Sequence, residues 1–475
     1  MIRKSAGIAA TEATADGLNW VYSPMVDIAR DPRWGRISEG NGEDPFLGSQ
    51  IAKVMVKGYQ GNDLEARNTV IACVKHYALY GAAEGGKDYN TTDLSRISMH
   101  EYFLSPYKAA VDAGVGSVMS SFNEVDGVPA TANKYLLTDV LKQRMGFDGL
   151  VVSDWDGVDE VQGCSKDKCA QAVNAGIDMF MVPNDWKSFI GNTLEQVRTE
   201  KIPLSRIDDA VSRILRVKFR AGLIEKGRPS SRPLANKREL LGAPEHRELA
   251  RQAVRESLVL LKNERGLLPL RRNSHVLVVG DGADNIPKQT GGWTVTWQGT
   301  ENTSAEFPGA TSIFQGIAQA VGEAGGTASS AARLDSDRLQ ARPDFAIVVF
   351  GEDPYAEWFG DLKSIDYRGA GGAELALLQQ LREASVPRVC VFLTGRPLWI
   401  EPELAACDAF VVAWLPGSEG GGIADVLFRK ADGSVNHNFS GKLSFSWPRT
   451  VAQTSLNRND AKYEPLFPYG FGLRY

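Results

Sequence analysis

The first half of this chain repeats one pattern: a short apolar run, polar residues at its end, then an amphipathic stretch. The apolar runs are NWVYSPMVDI (19–28), VIACVKHYAL (70–79), GSVMSSFNEV (116–125), GLVVSDW (149–155) and DMFMVP (178–183). Helical stretches such as 98–114 and 138–146 separate them. Buried runs without polar alternation, alternating with helices, predict a parallel sheet covered by helices. The run ends carry Asp27, then Lys75 and His76, then Asn123 and Glu124, then Asp154. In a β/α-barrel all the C-terminal strand ends meet at one mouth, whereas an open sheet concentrates its chemistry at one switch point. Polar residues on four strand ends favour the barrel. A full barrel needs eight strands and about 250 residues. Five or six strands can be counted before residue 225, so the expectation is a partial (β/α)8-type barrel over 1–227, incomplete at its N-terminal side.

Residues 228–246, rich in Pro, Ser and charge, read as a linker. A second α/β pattern fills 247–475, with strands expected at 275–282, 345–352, 388–395 and 409–417 and a helix at 373–384. A length of 475 residues calls for more than one core. The net charge of −5 offers no basic face, which argues against nucleic acid as a partner. No apolar run reaches the roughly 20 residues of a membrane span, and the first residues, MIRKSAGIAATEATADG, lack a signal-peptide core and read as a helix already under way. The five histidines show no HxH or HExxH spacing and the five cysteines no zinc-knuckle spacing, so no metal and no cofactor is expected. Only Cys164 and Cys169 are near neighbours; unpaired thiols are the preferred reading there, with a bridge as the other.

Several short stretches carry chemistry, each beside a plainer reading. Asp154 in VVSDWDG ends a buried strand, where an acid is costly unless it is hydrogen-bonded or used; a helix N-cap explains it equally well. Lys75 and His76 point to opposite faces of an ideal strand, so one site takes both only if the strand ends or bulges there. VVGDGADN (278–285) resembles a dinucleotide loop weakly, since Asn285 replaces the third glycine and Asp281 and Asp284 would repel a pyrophosphate. Trp293 and Trp297 in GGWTVTWQG suit stacking on a sugar face, or a core. Glu352 and Glu357 in GEDPYAEWFGD follow an apolar strand and lie among aromatics.

Together, RDPRWGRISEGNGEDPFLG (30–48), KHYALYG (75–81), VVSDWDG (151–157), NAGIDMFMVP (174–183), LLKNERGLLPL (260–270), PGSEGGGIADVLF (416–428) and the ending LFPYGFGLRY resemble glycoside hydrolase family 3. GGWTVTWQG and GEDPYAEWFGD look like its exo-acting β-glucan glucohydrolase branch. The resemblance spans nearly the whole chain and implies a barrel followed by a six-stranded α/β sandwich. It implies removal of β-linked glucose from non-reducing ends of gluco-oligosaccharides or glucosides with retention. Retention uses a nucleophile and an acid/base about 5–5.5 Å apart. By the resemblance Asp154 matches the nucleophile. Arg36, Lys75 and His76 match residues holding the glucose hydroxyls, and Trp155 and Trp297 match an aromatic clamp on the next sugar. The acid/base belongs on the loop after VVFGE. Glu357, out in the loop beside Trp358 and Phe359, is preferred, because an apolar surround keeps a carboxyl protonated. Glu352, at the strand end, reads as a sugar-contact or supporting residue.

Departures from the family pattern narrow the reading. GAAEGGKDYN (81–90) lacks the histidine of the N-acetylglucosaminidase branch, and Glu160 stands where the glucan branch often has a basic residue. The family's opening barrel segment, with an aspartate that binds the terminal glucose, is expected to be missing. The alternatives are therefore a catalytically impaired sugar-binding fragment, or a β-xylosidase of the same family. The resemblance suggests a periplasmic or secreted location and leaves a homodimer open.

Overall fold

The structure is a computed structural model describing residues 1–331, 342–367 and 372–475. The chain divides into two compact units. The first comprises residues 1–30 and 39–243, the second 31–38 and 244–475.

In the first unit, strands β1 (Trp20–Val21), β2 (Ile71–Tyr77), β3 (Ser117–Ser120) and β4 (Leu150–Val152) form a parallel sheet in chain order. A further bridge, Val152 to Met179, continues it. Sequential parallel neighbours with helical crossovers are the β/α-barrel arrangement. β1 is shorter than the apolar run around it; Pro24 cannot donate to the ladder, and pairing resumes only at Met25 opposite Lys75. The crossover helix Pro45–Gln60 starts where Asp44 accepts a hydrogen bond from Leu47 N at 2.9 Å, with Pro45 in the first turn. It ends at Gly61, whose φ is 65°. The expected helix at 98–114 is broken into Arg96–Ser98, a widened turn Met99–Phe103, and Ser105–Asp112. That at 138–146 begins earlier and runs with i→i+5 geometry from Tyr135 to Arg144. Val26, Ile28, Val74, Tyr77, Tyr107, Val118 and Val151 lie in the core between sheet and helices.

In the second unit, β5 (Val259–Asn263), β6 (His275–Val279), β7 (Thr327–Ala331), β8 (Phe345–Gly351), β9 (Arg388–Leu393) and β10 (Ala409–Trp414) form one six-stranded sheet. The strand order is β7-β6-β8-β9-β10-β5, and only the β10–β5 pair is antiparallel. Both faces are covered. Phe345, Ile347 and Val349 enter one core with residues of helix Ile313–Gly322; Ala346, Val348 and Phe350 enter the other with helix Ala373–Glu383. Two-sided burial explains why these strands read as unbroken apolar runs.

One expectation is corrected. Cys164 and Cys169 are not free thiols but form a disulfide. A second bridge, Cys390 to Cys407, joins β9 to the residues leading into β10, and Cys73 alone is free and buried. No helix among the described residues is long and apolar enough to cross a membrane.

Candidate active site

The first unit assembles its chemistry at the C-terminal ends of β2 and β4. The β2–β3 ladder loses register between Val74 and Tyr77, so Lys75 and His76 sit where the strand is no longer regular. This is the condition under which neighbours can share a site. His76 is 1% exposed, and Asp27 lies behind it. Asp27 Oδ2 accepts from the His76 backbone N–H at 2.9 Å and lies 3.0 Å from its Nδ1. A carboxylate only accepts, so Nδ1 carries the hydrogen and Nε2 is the ring's other face. Nε2 lies 3.8 Å from Asp154 Oδ2. Tyr107 completes the support: its single hydroxyl hydrogen is shared between Asp27 Oδ1 at 2.6 Å and the His76 carbonyl at 2.5 Å. Burial, then the Asp27 charge, hold its phenol well above its ordinary pKa.

Asp154 follows β4. Its Oδ1 accepts from Trp155 N at 2.7 Å, and its carbonyl accepts from Gly157 N at 3.1 Å. Turns run from Trp155 onward, and the next helix begins at Ala170. An N-cap has nothing to cap here, which removes the plain reading of Asp154. Cys73, two residues before Lys75 on the same face of β2, feels both Lys75 and Asp154. Burial pushes its thiol up to about 12. Trp155 is 59% exposed.

In the second unit, the loop after β8 is held against residues 31–38. Arg396 organises this contact. It is 1% exposed, donates from Nε to Glu352 Oε1 at 2.8 Å and from Nη1 to the Pro32 carbonyl at 3.1 Å, and lies 4.3 Å from the Tyr355 ring centroid. Burial works against its charge, yet Glu352 holds its pKa above the ordinary value. Gly35 N donates to Asp361 at 2.9 Å, and Leu362 N to the Arg33 carbonyl at 2.8 Å. The backbones approach so closely that a Cβ on Gly35 would stand 1.8 Å from the Glu357 carbonyl oxygen.

The two glutamates differ sharply. Glu352 Oε2 accepts from Thr394 Oγ1 at 2.7 Å, Gly395 N at 3.3 Å and the Tyr355 hydroxyl at 3.4 Å. With Arg396 on Oε1, its carboxylate is saturated by the fold. Glu357 is buried with φ at 54°, a left-handed conformation uncommon outside glycine, and Arg36 Nη1 donates to its Oε1 at 3.0 Å. The expected apolar surround is thus only part of its environment. Gln298 fixes the residue before it, accepting from Ala356 N at 2.9 Å and donating to Ala356 O at 3.2 Å. Trp297, next to Gln298, is 40% exposed.

Sequence reasoning missed Arg396 and Tyr107 altogether, and placed Asp27 only among polar strand ends. A single arginine after a strand carries no sequence signal. Asp27 gave one: an acid closing an apolar run.

A model of the glycosyl hydrolase family 3 N-terminal domain matches residues 1–217, and a model of the family's C-terminal domain matches residues 258–475. The periplasmic beta-glucosidase of Salmonella typhimurium is 33% identical over an alignment covering 100% of this chain and 67% of that protein. Among solved structures, an exo-1,3/1,4-beta-glucanase from a Pseudoalteromonas species superposes with a TM-score of 0.97 at 48% identity, covering 100% of this chain and 59% of that one. A mutant beta-glucosidase from Listeria innocua in complex with laminaribiose gives a TM-score of 0.87 at 33% identity, with 68% of that chain covered. The chain therefore spans about three fifths to two thirds of the length of these relatives.

Proposed function

Because the chain belongs to glycosyl hydrolase family 3, we propose that it is a retaining, exo-acting β-glucosidase. Its substrates are terminal non-reducing β-D-glucosyl residues of β-glucans, oligosaccharides or aryl glucosides. Asp154 is the nucleophile and Glu357 the acid/base. In the first step an Asp154 oxygen bonds to the anomeric carbon as the glycosidic bond breaks, and Glu357 gives its proton to the leaving oxygen. In the second, Glu357 takes a proton from water, whose oxygen displaces Asp154 and leaves β-glucose. Lys75, His76 and Arg36 hold the glucose hydroxyls, and Trp155 and Trp297 flank the next sugar. Glu352 supports the loop through Arg396. The Salmonella relative is periplasmic by name, and we assign this chain to the same kind of compartment, periplasmic or secreted.

The observation that carries the reading is Asp154. It is an acid after a buried strand, with no helix to cap, facing an imidazole that Asp27 and Tyr107 hold in one orientation. What supports Glu357 over Glu352 is that the latter's oxygens already have four donors. The test replaces each glutamate by alanine and adds azide with an activated aryl β-glucoside. Turnover of the Glu357→Ala variant should recover and yield β-glucosyl azide. Rescue of Glu352→Ala alone overturns the assignment, and full activity of Asp154→Asn overturns the mechanism.

A further inference from the structure

We propose that Trp293, Trp297, Trp358 and Phe359 form a platform for the polymer chain of a β-glucan, so that the protein reads substrate length as well as the terminal glucose. This rests on the reading above but extends it to three rings with no role there. These four aromatic side chains are 53%, 40%, 43% and 63% exposed, and they form one patch. The Trp297 ring lies 6.3 Å from Trp293, 5.2 Å from Trp358 and 5.7 Å from Phe359. Rings of this size normally bury most of their area, and a contiguous exposed patch marks a binding surface.

The patch is built rather than loose. Trp293 N donates to the Trp297 carbonyl at 2.8 Å, and Thr296 N to the Thr294 carbonyl at 2.8 Å. Asn302 closes the turn, donating to the Thr294 carbonyl at 2.7 Å and accepting from Thr296 Oγ1 at 2.9 Å. These bonds hold Trp293 and Val295 at φ of 57° and 61°. For a β-branched valine that is a strained conformation, costing on the order of 1–3 kcal/mol, and such strain concentrates at functional segments. The Gln298–Ala356 amide pair locks this turn to the loop bearing Trp358 and Phe359.

Chemistry selects the occupant. A β-linked glucose unit offers C–H groups on its ring faces and hydroxyls at its edge. Rings interleaved with Thr294, Thr296, Gln298 and Asn302 meet both, and Val295, 66% exposed between Trp293 and Trp297, adds apolar surface to the same turn. The patch continues directly from Glu357, so its ligand is the part of the substrate beyond the cleaved bond. The 48% identical relative is named for hydrolysing 1,3/1,4-β-glucan, a polymer.

The test compares the chain with its Trp293→Ala, Trp358→Ala and Phe359→Ala variants, and with Trp358→Phe and Phe359→Tyr as conservative partners. Two readouts are taken: kcat/KM on an aryl β-glucoside and on laminari-oligosaccharides of increasing length, and retardation in native gels containing laminarin. The unaltered chain should gain kcat/KM with length and be retarded. The alanine variants should lose about 10-fold more on the longest substrate than on the aryl glucoside, the scale of one lost aromatic contact. The conservative variants should keep most of the gain. Equal losses on both substrates overturn the proposal, because the rings would then only shape the Glu357 loop. Self-association relieved by the alanine variants, without retardation, overturns it in favour of a protein contact. Retardation without hydrolysis upholds the platform while sinking the glucosidase reading; hydrolysis without length dependence or retardation does the reverse.

Discussion

Replacing Arg396 by methionine tests what holds the second unit's loop together. Methionine keeps most of the buried stem and removes the guanidinium. The variant strands the Glu352 carboxylate, which loses its 2.8 Å partner, and leaves the Pro32 carbonyl without its 3.1 Å donor. Removing one partner of a buried ion pair costs about 3–5 kcal/mol, and an orphaned carbonyl about 1–3 kcal/mol more. These terms overlap, because Thr394, Gly395 and Tyr355 still donate to Glu352. A net loss of about 4 kcal/mol is expected, a large share of a domain's total stability. For a unit of this size each kcal/mol moves the melting temperature by about 2–4 °C, so the variant should melt about 8–16 °C lower. The control is the double variant Arg396→Met/Glu352→Met, which removes both charges. If the pair is coupled as described, it should cost about 2 kcal/mol or more less than the two single variants added together. Thermal melts followed by circular dichroism on all four proteins complete the cycle. A single-variant shift under about 3 °C, or strict additivity, would refute the reasoning.

Three further outcomes are expected. Gly35→Ala drives a methyl into the Glu357 carbonyl at 1.8 Å; backbone cannot yield cheaply, so aryl glucoside turnover should fall about 100-fold, as a misplacement near 1 Å does, and near-native turnover would show that the approach is not needed. Asp27→Asn weakens the charged hydrogen bond to His76, worth about 1.5–3 kcal/mol, so kcat/KM should drop about 10- to 100-fold, with the melting temperature separating this from unfolding. Cys73 has its folded pKa raised from 9.0 to about 12 by burial. Below pH 9 the thiol is protonated in both states and leaves stability independent of pH. Above it the unfolded chain releases the proton first, so the fold loses roughly 1.4 kcal/mol per pH unit. The stability difference between the unaltered chain and Cys73→Ala should shrink by roughly 2 kcal/mol from pH 9 to 10.5 in urea titrations, and a constant difference counts against the burial.

The sequence was legible where burial was two-sided. β6, β8, β9 and β10 were readable as apolar runs because helices cover both faces, and β2 and β4 likewise. β7, TASSA, was invisible: an edge strand of small polar residues has no hydrophobic signature. β5 was hidden inside a longer motif and turned out to be the antiparallel edge. In the candidate site, residues with unusual chemistry at strand ends could be named. Residues acting through a distant backbone could not, since Arg396 donates to the Pro32 carbonyl 364 positions away. The Cys390–Cys407 bridge escaped for the same reason, and Cys164–Cys169 because near spacing alone does not decide between thiol and disulfide.

The short piece 31–38, which belongs with the second unit, has a consequence for how the chain is made. Pro32 emerges from the ribosome 364 residues before Arg396, which at about 5–20 residues per second is an interval on the order of tens of seconds. Throughout that time residues on either side of the piece can fold into the first unit, while Arg396, which the piece will hold by its backbone carbonyls, has not yet been made. Its own local contacts, such as Arg33 with Asp31 at 2.6 Å, can form at once, in a strip that carries Trp34 and Ile37. Its composition, DPRWGRIS, with a proline, an aspartate and a pair of arginines, suits a segment that has to wait in water before it is buried.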